Sequence, residues 1–188
     1  MSISTRENVY FTPYLYPFWT LPLLSNIQTM VNTALFVKMV IDRWNGSILS
    51  LNKNLSVLTD EQLHKAVAPG KNRGIYLLGH LIAVHDEMLV LLALGDKLYP
   101  ELYEPFIKQA DNVNTQLPSA VELREMWEKQ NTHLQAKFEQ VQPEEWFGRH
   151  TAVSAEDFAK EPHRNKLNII ISRTSHLQYH TGQIVLLN

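Results

Sequence analysis

His176 and His180 stand four residues apart in a segment whose apolar positions recur at helical spacing, so their imidazoles project from one face, one turn apart. Two imidazoles so placed can hold one first-row divalent ion through ring nitrogens at about 2.0–2.1 Å, but a third ligand must come from another element to build a tight site. The chain has no cysteine, which excludes a thiolate zinc site, a cysteine nucleophile and a disulfide framework. Any metal must therefore sit on His, Asp, Glu or water. Among eight histidines a single H-x-x-x-H pair is a weak signal. The candidate third ligand is His80, within the apolar run Tyr76-Leu77-Leu78-Gly79-His80-Leu81-Ile82. A histidine facing inward needs a partner, because burying an unpaired polar group costs about 1–3 kcal/mol. A metal, a backbone carbonyl or a buried carboxylate would each serve, and spacing alone favours the plain structural partner.

Tyr76 and Glu87 lie four before and seven after His80 on nearly the same helical face. Either is placed to line a pocket or orient a histidine through its second ring nitrogen, against the plainer reading of packing or surface residues. Tyr179 and Gln183 flank the second pair, and Gln183 is placed to contact a metal-bound ligand. His85 sits about 140° around the helix from His80 and should not share its metal. His64, His133, His150 and His163 fall in connectors or on polar faces and read as solvated. Asp86 and Glu87 are adjacent and diverge on a helix, so they are not a glycosidase carboxylate pair. There is no G-x-S-x-G, Walker-type loop or dinucleotide fingerprint, which removes support for phosphoryl and hydride transfer.

The elements that must position these residues read as helices. Ile27, Met30, Val31, Ala34, Leu35, Val37 and Ile41 set a first helix from Ser25 to about Trp44, stopped by Asn45-Gly46. Thr59-Asp60-Glu61 opens a short connecting helix that Pro69-Gly70 ends. The second long helix is expected over Asn72 to Leu94 with Gly95 as terminator, followed by a long crossover to Pro118 that lets successive helices lie parallel. Ser119 with Glu122 forms a capping box for a third helix to about Val141. After an irregular stretch with one turn near Ser154–Phe158, a fourth runs from about His163 to Leu187. Nothing reads as a strand. Residues 1–24 form an arm rich in aromatics and proline, with Tyr10, Phe11, Tyr14, Tyr16, Phe18 and Trp19 close together, expected to pack over the bundle or over a partner subunit.

With these elements in place, two strings gain weight. Leu78-Gly79-His80-Leu81 resembles the second-helix signature of the DinB-like superfamily, and His176-x-x-x-His180-x-Gly182-Gln183-Ile184 resembles its final-helix signature. Leu117-Pro118-Ser119 through Trp127 is similar to the family's third-helix opening, so the resemblance covers Ile27 to the C-terminus. It implies an all-α four-helix bundle over residues 25–188 with a long crossover between helices two and three. It also implies one divalent metal ion, zinc or nickel foremost, on His80, His176 and His180. Characterised branches of that family suggest a transferase or isomerase that uses a low-molecular-weight thiol, whose sulfur a metal would activate as thiolate. The candidates beside the metal are Tyr76, Glu87 and Gln183. A metal-dependent hydrolase with Glu87 as base and a non-catalytic metal-binding or interaction module are the alternatives. A homodimer is compatible with the aromatic arm.

The whole-chain properties limit the partners. At 188 residues and 45% hydrophobic content, one domain can bury a core without staples. A formal charge of −2 from 17 basic and 19 acidic residues, with no basic cluster, argues against nucleic acid. Val9 to Leu24 is apolar but interrupted by Pro13, Pro17 and Pro22, short of the roughly 20 uninterrupted apolar residues of a membrane span, and it lacks a basic leader. The expectation is a cytoplasmic protein that acts on a small molecule.

Overall fold

The computed structural model describes residues 21–111 and 117–188, with side chains from Gln28 onward. The expected aromatic arm lies, up to residue 20, outside the described residues. The protein is all-α, and among the described residues the only β pairing is two isolated bridges, Ala66 with Arg73 and Arg149 with Asn165. Four helices are long: α1 (Leu21–Val57), α3 (Gly74–Leu91), α4 (Ala120–Phe138) and α6 (Lys166–Ile184). Two are short: α2 (Asp60–Leu63) and α5 (Ala155–Lys160).

The helix starts follow local chemistry. Thr59 and Ser119 each accept from the backbone N–H three residues on, and Gln62 and Glu122 reach back to the cap N–H, so both are complete capping boxes. Asn165 caps α6 through Asn168 N–H. The expected terminator of α3 is displaced: the helix ends at Leu91, and Ala93 takes the left-handed conformation (φ 57°) ahead of Gly95 (φ 143°).

The first helix departs furthest from expectation. It passes through Asn45-Gly46 and continues to Val57. Its buried stripe is Val37, Trp44, Ile48, Leu51 and Leu55, whereas Met30, Val31 and Leu35 are more than half exposed. Apolar burial along the Trp44–Leu55 stripe outweighs the cost of about 1 kcal/mol for one glycine in a helix interior.

Side-chain bonds set the directions. Trp127 Nε1–H donates to Asn52 while Arg124 donates to the Leu55 carbonyl, so α4 runs antiparallel to α1. Leu63 of α2 touches Gly74 at the start of α3, and Asp60 of α2 pairs with Arg124 near the start of α4. Helices α3 and α4 therefore run parallel, joined by the long crossover from Leu92 to Ser119. Near Gly74 stands Leu187, just beyond α6, so α6 runs antiparallel to α3. Among the described residues only α3 is long and apolar enough to cross a membrane, and 78% of it is buried inside the protein, which makes it the core helix.

The crossover is pinned to α3 at several points. Asp86, almost wholly buried, accepts from the backbone N–H groups of Leu98 and Tyr99 and from Gln130. Tyr76 donates its hydroxyl to the Gln109 carbonyl at 2.6 Å, and Arg73 pairs with Asp111 through backbone and guanidinium. Between these anchors, Glu104–Lys108 forms a single π-helical turn that buries Phe106.

Candidate metal centre

Gly79 explains how the crossover comes so close to α3. A Cβ built on it would stand 2.6 Å from Phe106 Cδ1 and closer still to Cε1 and Cζ, so any larger residue would collide with the ring. Because the ring lies against bare backbone, the Phe106 carbonyl reaches the neighbouring His80, whose Nδ1–H donates to it at 2.8 Å. A carbonyl can only accept, so this bond fixes the tautomer and turns the Nε2 lone pair away from the crossover.

From α6, His180 Nδ1–H donates to Gln183 Oε1 at 2.7 Å, and the Gln183 amide in turn donates to the Tyr179 hydroxyl. The His180 Nε2 lone pair is thereby presented as well. His176 Nε2 lies 3.2 Å from His80 Nε2 and 3.0 Å from His180 Nε2. Three ring nitrogens, one from α3 and two from α6, thus converge on one point from half-buried side chains.

These residues fit a divalent ion. Two of the nitrogens are acceptors by their tautomers, and a proton on His176 Nε2 can satisfy one of them but not both. His176 Nδ1 is buried without a partner whichever group meets Nε2. An ion at about 2.1 Å from each nitrogen in tetrahedral geometry separates them by about 3.4 Å, a few tenths of an ångström wider than the spacing observed. Burial is the first cause lowering the proton affinity of all three rings. It brings His176 down to about 4, assisted by the neighbouring His180 and His80. Neutral imidazole is the ligating form.

The other candidates take different places. Tyr76 stacks on His80 at 6.4 Å, but its hydroxyl is committed to the crossover, so it supports the ligand without offering a free acid. Glu87 lies on the same stripe with its carboxylate paired to Lys97, an occupied partner for a residue expected to act as base. Gln183 meets His180 Nδ1, so it would act on a bound ion only through that histidine. His85 is shut from solvent between Trp44 and Trp127, bonded to Asn131, and stays apart from the three-histidine cluster as expected. Of the histidines expected to be solvated, His64 and His163 are exposed, while His133 and His150 are half-buried, and burial lowers the proton affinity of His150.

Two groups beside the site do not stand out in the sequence: Phe106, whose carbonyl meets His80, and Arg173, whose charge opposes protonation of His80 and His176. Phe106 lies in an irregular connection, and no spacing rule ties it to His80. Arg173 did carry a signal, standing three before His176 and seven before His180 on one face of α6.

An all-helical chain that gathers three imidazoles from two antiparallel helices, each of two ligands oriented through its remaining nitrogen, has the make-up of a metal-binding protein. The chain belongs to the DinB superfamily, whose family model matches residues 50–184. That span includes all three histidines and the crossover. No curated protein matches the chain.

Proposed function

We propose that the protein is a divalent-metal-dependent enzyme with the superfamily's four-helix bundle architecture, a transferase or isomerase that takes a low-molecular-weight thiol. The observation that carries this reading is the convergence of three Nε2 atoms, with His80 and His180 oriented by Phe106 and Gln183. Three protein ligands leave a coordination position open, and a zinc or nickel ion held there would lower the pKa of an incoming thiol so that it binds as thiolate.

The chain's own residues then have defined tasks. Phe106 and Gln183 hold two imidazoles in the ligating tautomer, burial keeps all three rings neutral, and Tyr76 fixes the crossover over the His80 side of the site. With no cysteine in the chain, the sulfur arrives with the small molecule. The pairing of Glu87 with Lys97 favours this reading over hydrolysis, which needs a free base close to the metal.

The test is metal content by plasma mass spectrometry on tag-free protein purified without added metal, parent against His176→Ala. About one equivalent of a divalent ion in the parent and its loss in the variant are expected. A parent that is metal-free and also refuses zinc and nickel on titration refutes the proposal.

A further inference from the structure

Beyond the three histidines, α3 and α6 stay side by side, and the same two helical faces carry further polar residues. Arg173 lies one turn before His176, an axial rise of about 4.5 Å for three residues. Opposite it is Glu87, seven residues past His80 on the antiparallel α3. The guanidinium is half-buried, and its Nε is shut from solvent with no hydrogen-bond partner. No ion pair to it is formed among the described residues, and Glu87, the carboxylate whose charge acts on it, is paired with Lys97. Arg173 also lies near enough to the histidines to oppose protonation of His80 and His176.

The charges do not balance. Three neutral imidazoles leave a divalent ion at its full charge, the Lys97–Glu87 pair cancels, and Arg173 adds another positive charge, partly desolvated. Among the described residues the carboxylate at this end, Glu87, is already paired with Lys97, so a further anion has to come with the ligand. A thiolate on the metal supplies one negative charge. A carboxylate about one helical turn away would meet the planar guanidinium fork through paired N–H donors, the geometry for which arginine is better suited than lysine.

We infer that Arg173 is a ligand-binding residue that seats a carboxylate carried by the small-molecule thiol, so that the substrate class is a thiol acid bridging the metal and the guanidinium. The inference rests on the proposed metal and thiol reading and adds the second anchor to it. The alternative role for Arg173, structural support of Glu87 and the α3–α6 contact, predicts no discrimination between thiols.

The test uses full-length protein loaded with cobalt(II), whose sulfur-to-metal charge-transfer band reports a bound thiolate. 3-Mercaptopropionate and 2-mercaptoethanol are titrated into the parent, Arg173→Met and Arg173→Lys. The ratio of the two affinities, compared between proteins, is the readout, because it removes the intrinsic difference between the thiols. The parent is expected to favour the thiol acid about tenfold more than Arg173→Met does, a difference that corresponds to one well-made charge-assisted contact. Arg173→Lys should keep part of that preference, while cobalt stoichiometry and 2-mercaptoethanol affinity stay unchanged in both variants. The same ratio in the parent and Arg173→Met overturns the inference while leaving the thiol reading intact. So does a variant that loses cobalt and both thiols together, which assigns Arg173 to support of the fold. If neither thiol gives the band in cobalt-loaded parent, the thiol reading falls and takes this inference with it.

Discussion

Substituting Gly79 by alanine should weaken metal binding more than it weakens the fold. The added Cβ would sit within 2.6 Å of three Phe106 ring carbons, where ordinary carbon contact needs about 3.5 Å or more. Phe106 is wholly buried, so its neighbours resist a swing of the ring, and the expected relief is a retreat of the π turn from α3 by about 1 Å. Its carbonyl stands 2.8 Å from His80 Nδ1, and the same retreat carries that bond beyond hydrogen-bond range. Loss of such an orienting partner costs about 10–100-fold in metal affinity, or about 1.4–2.7 kcal/mol. For stability the two effects oppose each other: overpacking costs about 1–3 kcal/mol and alanine in a helix returns up to about 1. Zinc affinity, measured by competition with a chromophoric chelator, is therefore the sharper assay. Gly182→Ala is the control, since a Cβ there meets open space and affinity should not change. Adding Phe106→Leu to Gly79→Ala should recover part of the loss. If Gly79→Ala binds zinc as tightly as the parent while its unfolding midpoint falls, the Phe106 carbonyl does not orient His80 and the reasoning fails.

Gln183→Leu removes the acceptor of His180 Nδ1–H and should lower zinc affinity about tenfold with little change in the urea midpoint; unchanged affinity would show that His180 needs no orienting partner. His85 is held down to about 3, first by complete burial and against the opposing bond to Asn131. Its unfolded value is near 6.5, so below that pH the unfolded chain binds a proton that the native one does not. The stability this group contributes is intact above pH 6.5 and is lost as the pH falls toward 3. It amounts to about 2 kcal/mol between pH 6.5 and 4.5, from 1.36 kcal/mol per unit. Urea unfolding of metal-free protein at both pH values should show a smaller loss in His85→Gln than in the parent, and equal losses would contradict the assignment.

What the sequence disclosed follows from the range of each interaction. Ser119 with Glu122 closes over three residues, and the expected cap was found in place. The pair His176 and His180 is likewise local to one helix, and His80 joined it through resemblance rather than through spacing. The Asn45-Gly46 stop failed because a terminator acts only where no packed face continues beyond it, and Trp44, Ile48 and Leu51 continue into the core. Periodicity found α1 but chose the wrong stripe at its start, since Met30, Val31 and Leu35 have the right spacing and remain exposed among the described residues. Tyr76 stacks on His80, but its partner Gln109, like the Lys97 that pairs with Glu87, lies in the crossover, where no repeat links one position to another.

The crossover is thus part of the candidate metal centre and more than a link between parallel helices. The second nitrogen of His180 finds its acceptor one turn along its own helix, at Gln183. His80 has no such acceptor on α3, where the residues around it are apolar and the helix carbonyls are engaged in their own ladder. A one-turn helix solves this, because the Glu104 carbonyl takes the Gln109 N–H and leaves the Phe106 carbonyl without a partner inside the turn. That free acceptor becomes useful only if it is held against α3. Gly79 permits the approach, and Asp86, Tyr76 and Arg73 tie the chain down on either side of it. Cutting any one of these anchors should reach the metal through His80 alone and spare the pair on α6. The Leu78-Gly79-His80 string therefore reads as one device, a glycine that admits the crossover beside the histidine the crossover orients.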